Sequence, residues 1–122
     1  MTPDYLDFDY SEEADGSGSF DALASVGAPQ LPALHAEIAA VLAWAHASFE
    51  GLRGPLDDGG AWDFDLQSAQ EWRVEETLRY DENTSRIDVR PHAAEAPRHT
   101  VSFSIVGSAE FCEALRAQFG ID

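Results

Sequence analysis

Asp7 and Asp9 flank Phe8, and Asp63 and Asp65 flank Phe64, so the run Asp-Phe-Asp occurs twice in the chain. Four carboxylates in one local pattern admit four roles. They can hold a cation, work as an acid–base pair, dock a basic partner, or simply wet the outer side of two strands. Each role makes a different demand. Calcium needs about six to eight oxygens converging on one point. An acid–base pair needs two carboxyls in a pocket whose environments drive their pKa values apart. A docking surface needs only an exposed field of one sign.

The acidic stretch at 11–22 allows the calcium reading to be checked position by position. If Gly16 is the invariant glycine of a twelve-residue calcium loop, then Ser11, Glu13, Asp15 and Ala22 fall at the surrounding ligand positions. The first position lacks its carboxylate and the last lacks its bidentate one. The second candidate, DENTSR from residue 81, has Arg86 where the glycine belongs. Histidine offers no better set. His35 and His46 share a helical segment but lie about 16 Å apart along its axis. His92 and His99 flank a turn, and with Cys112 they make no spacing known for zinc. We therefore expect no metal and no cofactor.

Nucleophilic chemistry has as little support. GSG at 16–18 is not a nucleophile elbow. Cys112 falls on the Phe111 side of a terminal helix, as a small core residue does. Phosphate-binding and dinucleotide fingerprints are absent. The Asp-Phe-Asp acids lie on the polar side of their alternations, where water leaves little room to tune a pKa. No catalytic residue is assigned, and the reading leans against an enzyme.

Charge narrows the partner class. The chain has 23 acidic residues against 7 basic ones, all Arg, for a formal net charge of −16. Such a field repels nucleic-acid phosphates and anionic membranes and attracts basic proteins. It also keeps a protein in solution with no partner at all. The acid is uneven: residues 1–65 hold 13 acids against Arg53 alone, and residues 66–122 hold 10 against six Arg.

These side chains need elements to position them. A length of 122 residues with 44% hydrophobic content suits one domain, 1–122, with its own core. A single cysteine forbids an internal disulfide. The first residues carry neither a basic nor an apolar leader region, so a cytoplasmic location is expected. Leu6, Phe8 and Tyr10 alternate with acids over 4–12, ADGSGS turns the chain, and Phe20, Ala22, Ala24 and Val26 alternate again, predicting a hairpin. Pro32 opens a helix that runs to about Phe49, with Leu31, Leu34, Ile38, Val41, Leu42, Ala45 and Phe49 on its core stripe. Ala33, Ala36, Ala40, Ala43 and Ala47, edged by His35, Trp44 and His46, form a smooth opposite strip. That strip is either bare helix surface or the contact of a homodimer.

Strands are predicted at 62–66, at 71–80, around 86–90 and at 100–106. Trp72, Val74, Leu78 and Tyr80 share one face of the second of these, and Glu76 is an awkward member of that face. Ser108 caps a last helix with Phe111, Leu115 and Phe119 buried, and Gly120 ends it. The expected fold is α+β, order β-β-α-β-β-β-β-α. It comprises one antiparallel sheet of five to six strands with both helices on one face.

The leading expectation is a small, non-enzymatic protein-binding module that docks a basic partner through Asp7, Asp9, Asp57, Asp58, Asp63 and Asp65. Immunity and antitoxin-like inhibitors are an analogy for that class, including carboxylates that mimic phosphates in a nuclease. Arg73, Arg79, Arg86 and Arg90 are expected to neutralise part of the patch from adjacent strands. The alternatives are a ligand-binding or enzymatic domain whose pocket is lined by Trp62, Trp72, Tyr80 and His99, or a homodimer through the first helix.

Overall fold

The computed structural model describes residues 2–122. Among these residues the order is β1 (Asp9–Glu12), β2 (Gly18–Gly27), α1 (Leu31–Ser48), β3 (Trp62–Glu71), β4 (Glu76–Asp81), β5 (Arg86–Pro91), β6 (Arg98–Gly107) and α2 (Ala109–Phe119). The α+β class and the element order agree with the sequence reading. The strands do not form one sheet. Four make an antiparallel sheet in the order β1-β2-β6-β3, and β4 and β5 pair only with each other.

Alternation explains the main sheet. Phe20, Ala22, Ala24 and Val26 of β2 and Val101, Phe103 and Ile105 of β6 are buried on one face. Leu34, Ile38, Val41 and Ala45 of α1 cover that face, with Phe111, Cys112, Leu115 and Phe119 of α2 beside them. β2 and β3 are both antiparallel to β6, so they run parallel to each other, with α1 crossing between them. Aromatic rings fill the seam between helices and sheet. Trp62 stacks on Phe111 at 5.5 Å between ring centroids and 2° between planes. Trp44 meets Phe49, Phe111 and Phe119, so it belongs to the core margin and not to the edge of the alanine strip.

Local chemistry sets the joints. Ser108 Oγ accepts from Phe111 N at 3.3 Å to start α2. Gly120 ends it in the left-handed conformation, φ 65°. A Cβ at Gly107 would run into the Phe111 ring, so only glycine lets α2 turn directly off β6. The chain bends at Asp4 and Tyr5 and residues 6–8 join no strand, so the strand expected over 4–12 shortens to 9–12. Glu37 of α1 holds that segment instead, accepting from the backbone N–H groups of Asp4, Tyr5 and Leu6 at 2.9 to 3.1 Å.

The strand expected over 71–80 is broken at 72–75. Its face does not join the core: Trp72, Val74, Leu78 and Tyr80 are exposed, as are Ile87 and Val89 of β5. Cover is already lost within β3, which is exposed from Asp65 onward with Leu66 at 43%, so the strands that continue beyond it have no layer over their apolar side. Glu76 therefore faces water, which removes the penalty its position on the apolar side implied.

Candidate functional site

The register of the sheet decides which acids share a surface. Asp9 of β1 pairs with Asp21 of β2, Asp21 with Ser104 of β6, and Ser104 with Asp65 of β3. Cross-strand partners point to the same side. These four residues therefore form one row across all four strands, on the face opposite the helices. The neighbouring row is Ser11, Ser19, Val106 and Asp63. Asp9 of the first Asp-Phe-Asp run and Asp63 and Asp65 of the second share this open face from opposite edges of the sheet. The phenylalanines of the two runs, Phe8 and Phe64, turn the other way and pack against Phe103 at 5.9 and 6.4 Å.

Asp21 escaped the sequence reading, although the signal was present. It alternates with buried Phe20 and Ala22 just as Asp9 alternates with Phe8 and Tyr10. Asp57 also joins the surface. It lies in a 3-10 turn at Leu56–Asp58, and with Glu13, Ser19 and Asp63 it lines an open cleft of about 310 Å³ at one end of the face. Asp58 is exposed in the same turn but does not line that cleft. Asp7 lies ahead of β1, in a depression it shares with Leu6, Phe119 and Asp122.

The face is partly compensated. Arg53 Nε donates to Asp63 Oδ1 at 3.0 Å and places its guanidinium 4.4 Å from the Phe64 ring centre. Ser104 Oγ donates to Asp21 Oδ1 at 2.5 Å, and Gln67 Nε2 donates to Asp65 Oδ2 at 3.0 Å. The arginines expected to neutralise the patch do not reach it. Arg79, Arg86 and Arg90 belong to the β4–β5 hairpin, and Arg73 pairs with Glu75 at 3.2 Å. Arg98 does touch the open face at its far end, donating to the carbonyl of Ser25 at 2.8 Å. Between these ends the surface is made of short side chains, Ser25, Thr100, Ser102 and Ala69 among them, with Leu23 standing out at 70% exposure. The open face thus presents acids and hydroxyls around one exposed apolar side chain, Leu23.

The groups with shifted titration lie elsewhere. Burial pushes the Cys112 thiol up, and its S–H donates to the Gly107 carbonyl at 3.4 Å. A thiol held protonated is a poor nucleophile. Burial also raises the Tyr10 phenol, with further contributions from Cys112 and Glu12. Asp15 is lowered by the side-chain and backbone hydrogen bonds it receives from Ser17. Among the described residues no three His, Cys, Asp or Glu side chains converge to hold a metal ion. His46 packs edge-on against Trp62 at 4.9 Å, and His92 Nε2 lies 2.6 Å from Thr77 Oγ1 on the hairpin.

The four residues expected to line a pocket are scattered: Trp62 is fully buried, Trp72 and Tyr80 are exposed beyond the sheet, and His99 sits opposite Val26 and Gln70. A groove between sheet and helix does exist. It measures about 350 Å³ and is lined by His35, Ile38, Ala39, Leu42, Leu66, Ser68 and Val101. No helix among the described residues is long and apolar enough to cross a membrane. Comparison with protein-family models, curated proteins and solved structures finds no significant match to the chain.

Proposed function

We propose that this chain is a non-catalytic protein-binding module whose open sheet face docks a basic protein. The row Asp9–Asp21–Ser104–Asp65 is the observation that carries the reading. Like charges set directly opposite destabilise a sheet, and Asp9 faces Asp21 in that way. Solvation of a strand face needs no such arrangement, since mixed charges and hydroxyls wet it equally well. Asp63 and Asp57 extend the field at one end, and Leu23 supplies an apolar contact at its centre. The partner is a protein with a cluster of Arg or Lys around a small apolar recess. A nucleic-acid-processing enzyme held inactive by carboxylates in its phosphate sites fits that description, by analogy with immunity and antitoxin-like inhibitors.

The test is capture from the source lysate at low ionic strength, followed by titration of the purified captured protein. Wild type is compared with Asp9→Asn, Asp21→Asn and Asp65→Asn combined, after circular dichroism confirms that the variant folds. A basic partner whose affinity falls at least about ten-fold in the variant, and falls further as salt rises, supports the reading. Equal retention by both proteins, or binding insensitive to salt, removes it.

A further inference from the structure

β4 and β5 are not a separate sheet by accident of pairing; they prolong β3 and β6 into an arm. The backbone ladder continues through the junction, where Glu95 N donates to Arg73 O at 2.9 Å and His92 N donates to Glu75 O at 2.8 Å. The ten residues from Trp72 to Asp81 carry the arm at most about 33 Å past the main sheet. Its two faces differ. Leu78 pairs with Val89 and Tyr80 with Ile87 on one side, while Arg79 pairs with Asp88 and Thr77 with Arg90 on the other. The four apolar residues are 64%, 52%, 59% and 56% exposed in that order, and Trp72 at the arm's base is 62% exposed. A lone two-stranded hairpin is marginal in water, and an apolar patch of this kind on a soluble protein marks a contact site.

We propose that the occupant of this face is a second copy of the chain, in a reciprocal exchange of arms. Each arm lays Leu78, Tyr80, Ile87 and Val89 into the groove between α1 and β3 of the other copy, against Ile38, Ala39, Leu42 and Leu66. Three observations favour a second copy. First, each chain offers both halves of the contact without using them on itself: the arm's apolar residues are exposed, and none of them lines the groove.

Second, the groove at Leu66–Ser68 and the face at Leu78–Tyr80 lie on one continuous stretch of chain. A two-fold axis passing near Trp72 therefore forms both contacts at once, as a closed, self-complementary interface. Third, the arm is the segment that charge opposes least. Residues 72–97 hold four of the seven Arg against six acids, net −2, whereas the rest of the chain holds three Arg against 17 acids, net −14. Two bodies repel strongly, and a nearly neutral arm is the part of the molecule that can approach a body. The same repulsion opposes a dimer built on the alanine strip of α1, which lies on the body.

Sedimentation equilibrium of the full chain from about 1 to 200 μM tests the proposal, with two single variants, Ile87→Glu on the arm and Ala39→Glu in the groove. Both sites are exposed in one chain, and thermal melts verify that each variant folds. The expected result is twice the 13.3 kDa chain mass for wild type and the single-chain mass for both variants. Dimerisation should tighten as salt rises, because salt screens the bodies and leaves apolar contact intact. That trend is opposite to the one expected for the basic partner, so failure of either proposal can be told from failure of the other. A wild type that stays monomeric across the range, or a dimer that survives both substitutions, overturns the exchange.

Discussion

Asp9 and Asp65 stand at the two ends of one row across the sheet, on its two edge strands, with Asp21 and Ser104 between them. Three strand spacings separate their backbones, about 14 Å. The Asp-Phe-Asp runs therefore do not touch. They bracket a face, and the central strands complete the row with one more acid and one hydroxyl. A single divalent ion cannot bridge such a span, whereas a protein surface can.

The Asp9–Asp21 opposition predicts a trade of stability against binding. Ser104 already serves Asp21, so Asp9 is the carboxylate to neutralise. Asp9→Asn should stabilise the fold by about 0.2–1 kcal/mol in urea denaturation, more at low salt than at high salt. An unchanged stability would mean that the repulsion is already screened, and a destabilised variant that Asp9 makes a favourable contact.

Gly107 is a packing joint. Gly107→Ala drives a methyl into the Phe111 ring and should cost about 1–3 kcal/mol by chemical denaturation. Gly54→Ala is the control, since a Cβ there meets nothing, and it should change stability by no more than about 0.5 kcal/mol.

Trp62 is fully buried, and its indole N–H finds no acceptor among the described residues. An unmet buried donor costs about 1–3 kcal/mol. Trp62→Phe removes that donor while keeping a ring to stack on Phe111, so its net cost should stay below about 1.5 kcal/mol. Trp62→Ala should cost about 3–5 kcal/mol. A Phe variant as damaged as the Ala variant would show that the N–H is satisfied in solution.

Cys112 should react slowly with a thiol reagent in native buffer and rapidly in denaturant. Its thiol pKa is raised by burial, so the folded state retains its proton when the unfolded chain has lost it. The contribution to stability is whole below the unfolded value of about 8.5 and declines as pH rises from there through the folded value. Cys112→Ala should flatten that alkaline decline. For Asp15 the sign reverses, because its carboxyl is lowered by Ser17. Its contribution is whole above about pH 4 and is lost as pH falls through the folded value, and Asp15→Asn should remove this acid dependence.

What could be read from the chain is what local physics writes into it. Side chains alternate along a strand and recur every three to four residues on a helix, so buried Phe20, Phe103, Leu34 and Phe111 could be assigned from spacing alone. Ser108 and Gly120 announce the ends of α2 by their own hydrogen bonding and backbone freedom. The wet side of Asp9 and of Asp65 followed from the same alternation. It could not say that Asp9 and Asp65 lie in one row, because strand order and register are pairings between segments far apart in the sequence.

Tertiary structure alone also decided the fate of the second half. Trp72, Leu78, Tyr80, Ile87 and Val89 alternate as faithfully as Phe20 and Val26, so their pattern promised a core. Burial, however, requires something to lie on top. The arm beyond β3 and β6 has no layer over Trp72, Leu78, Tyr80, Ile87 and Val89, and an apolar face without a covering layer stays in water until another surface meets it.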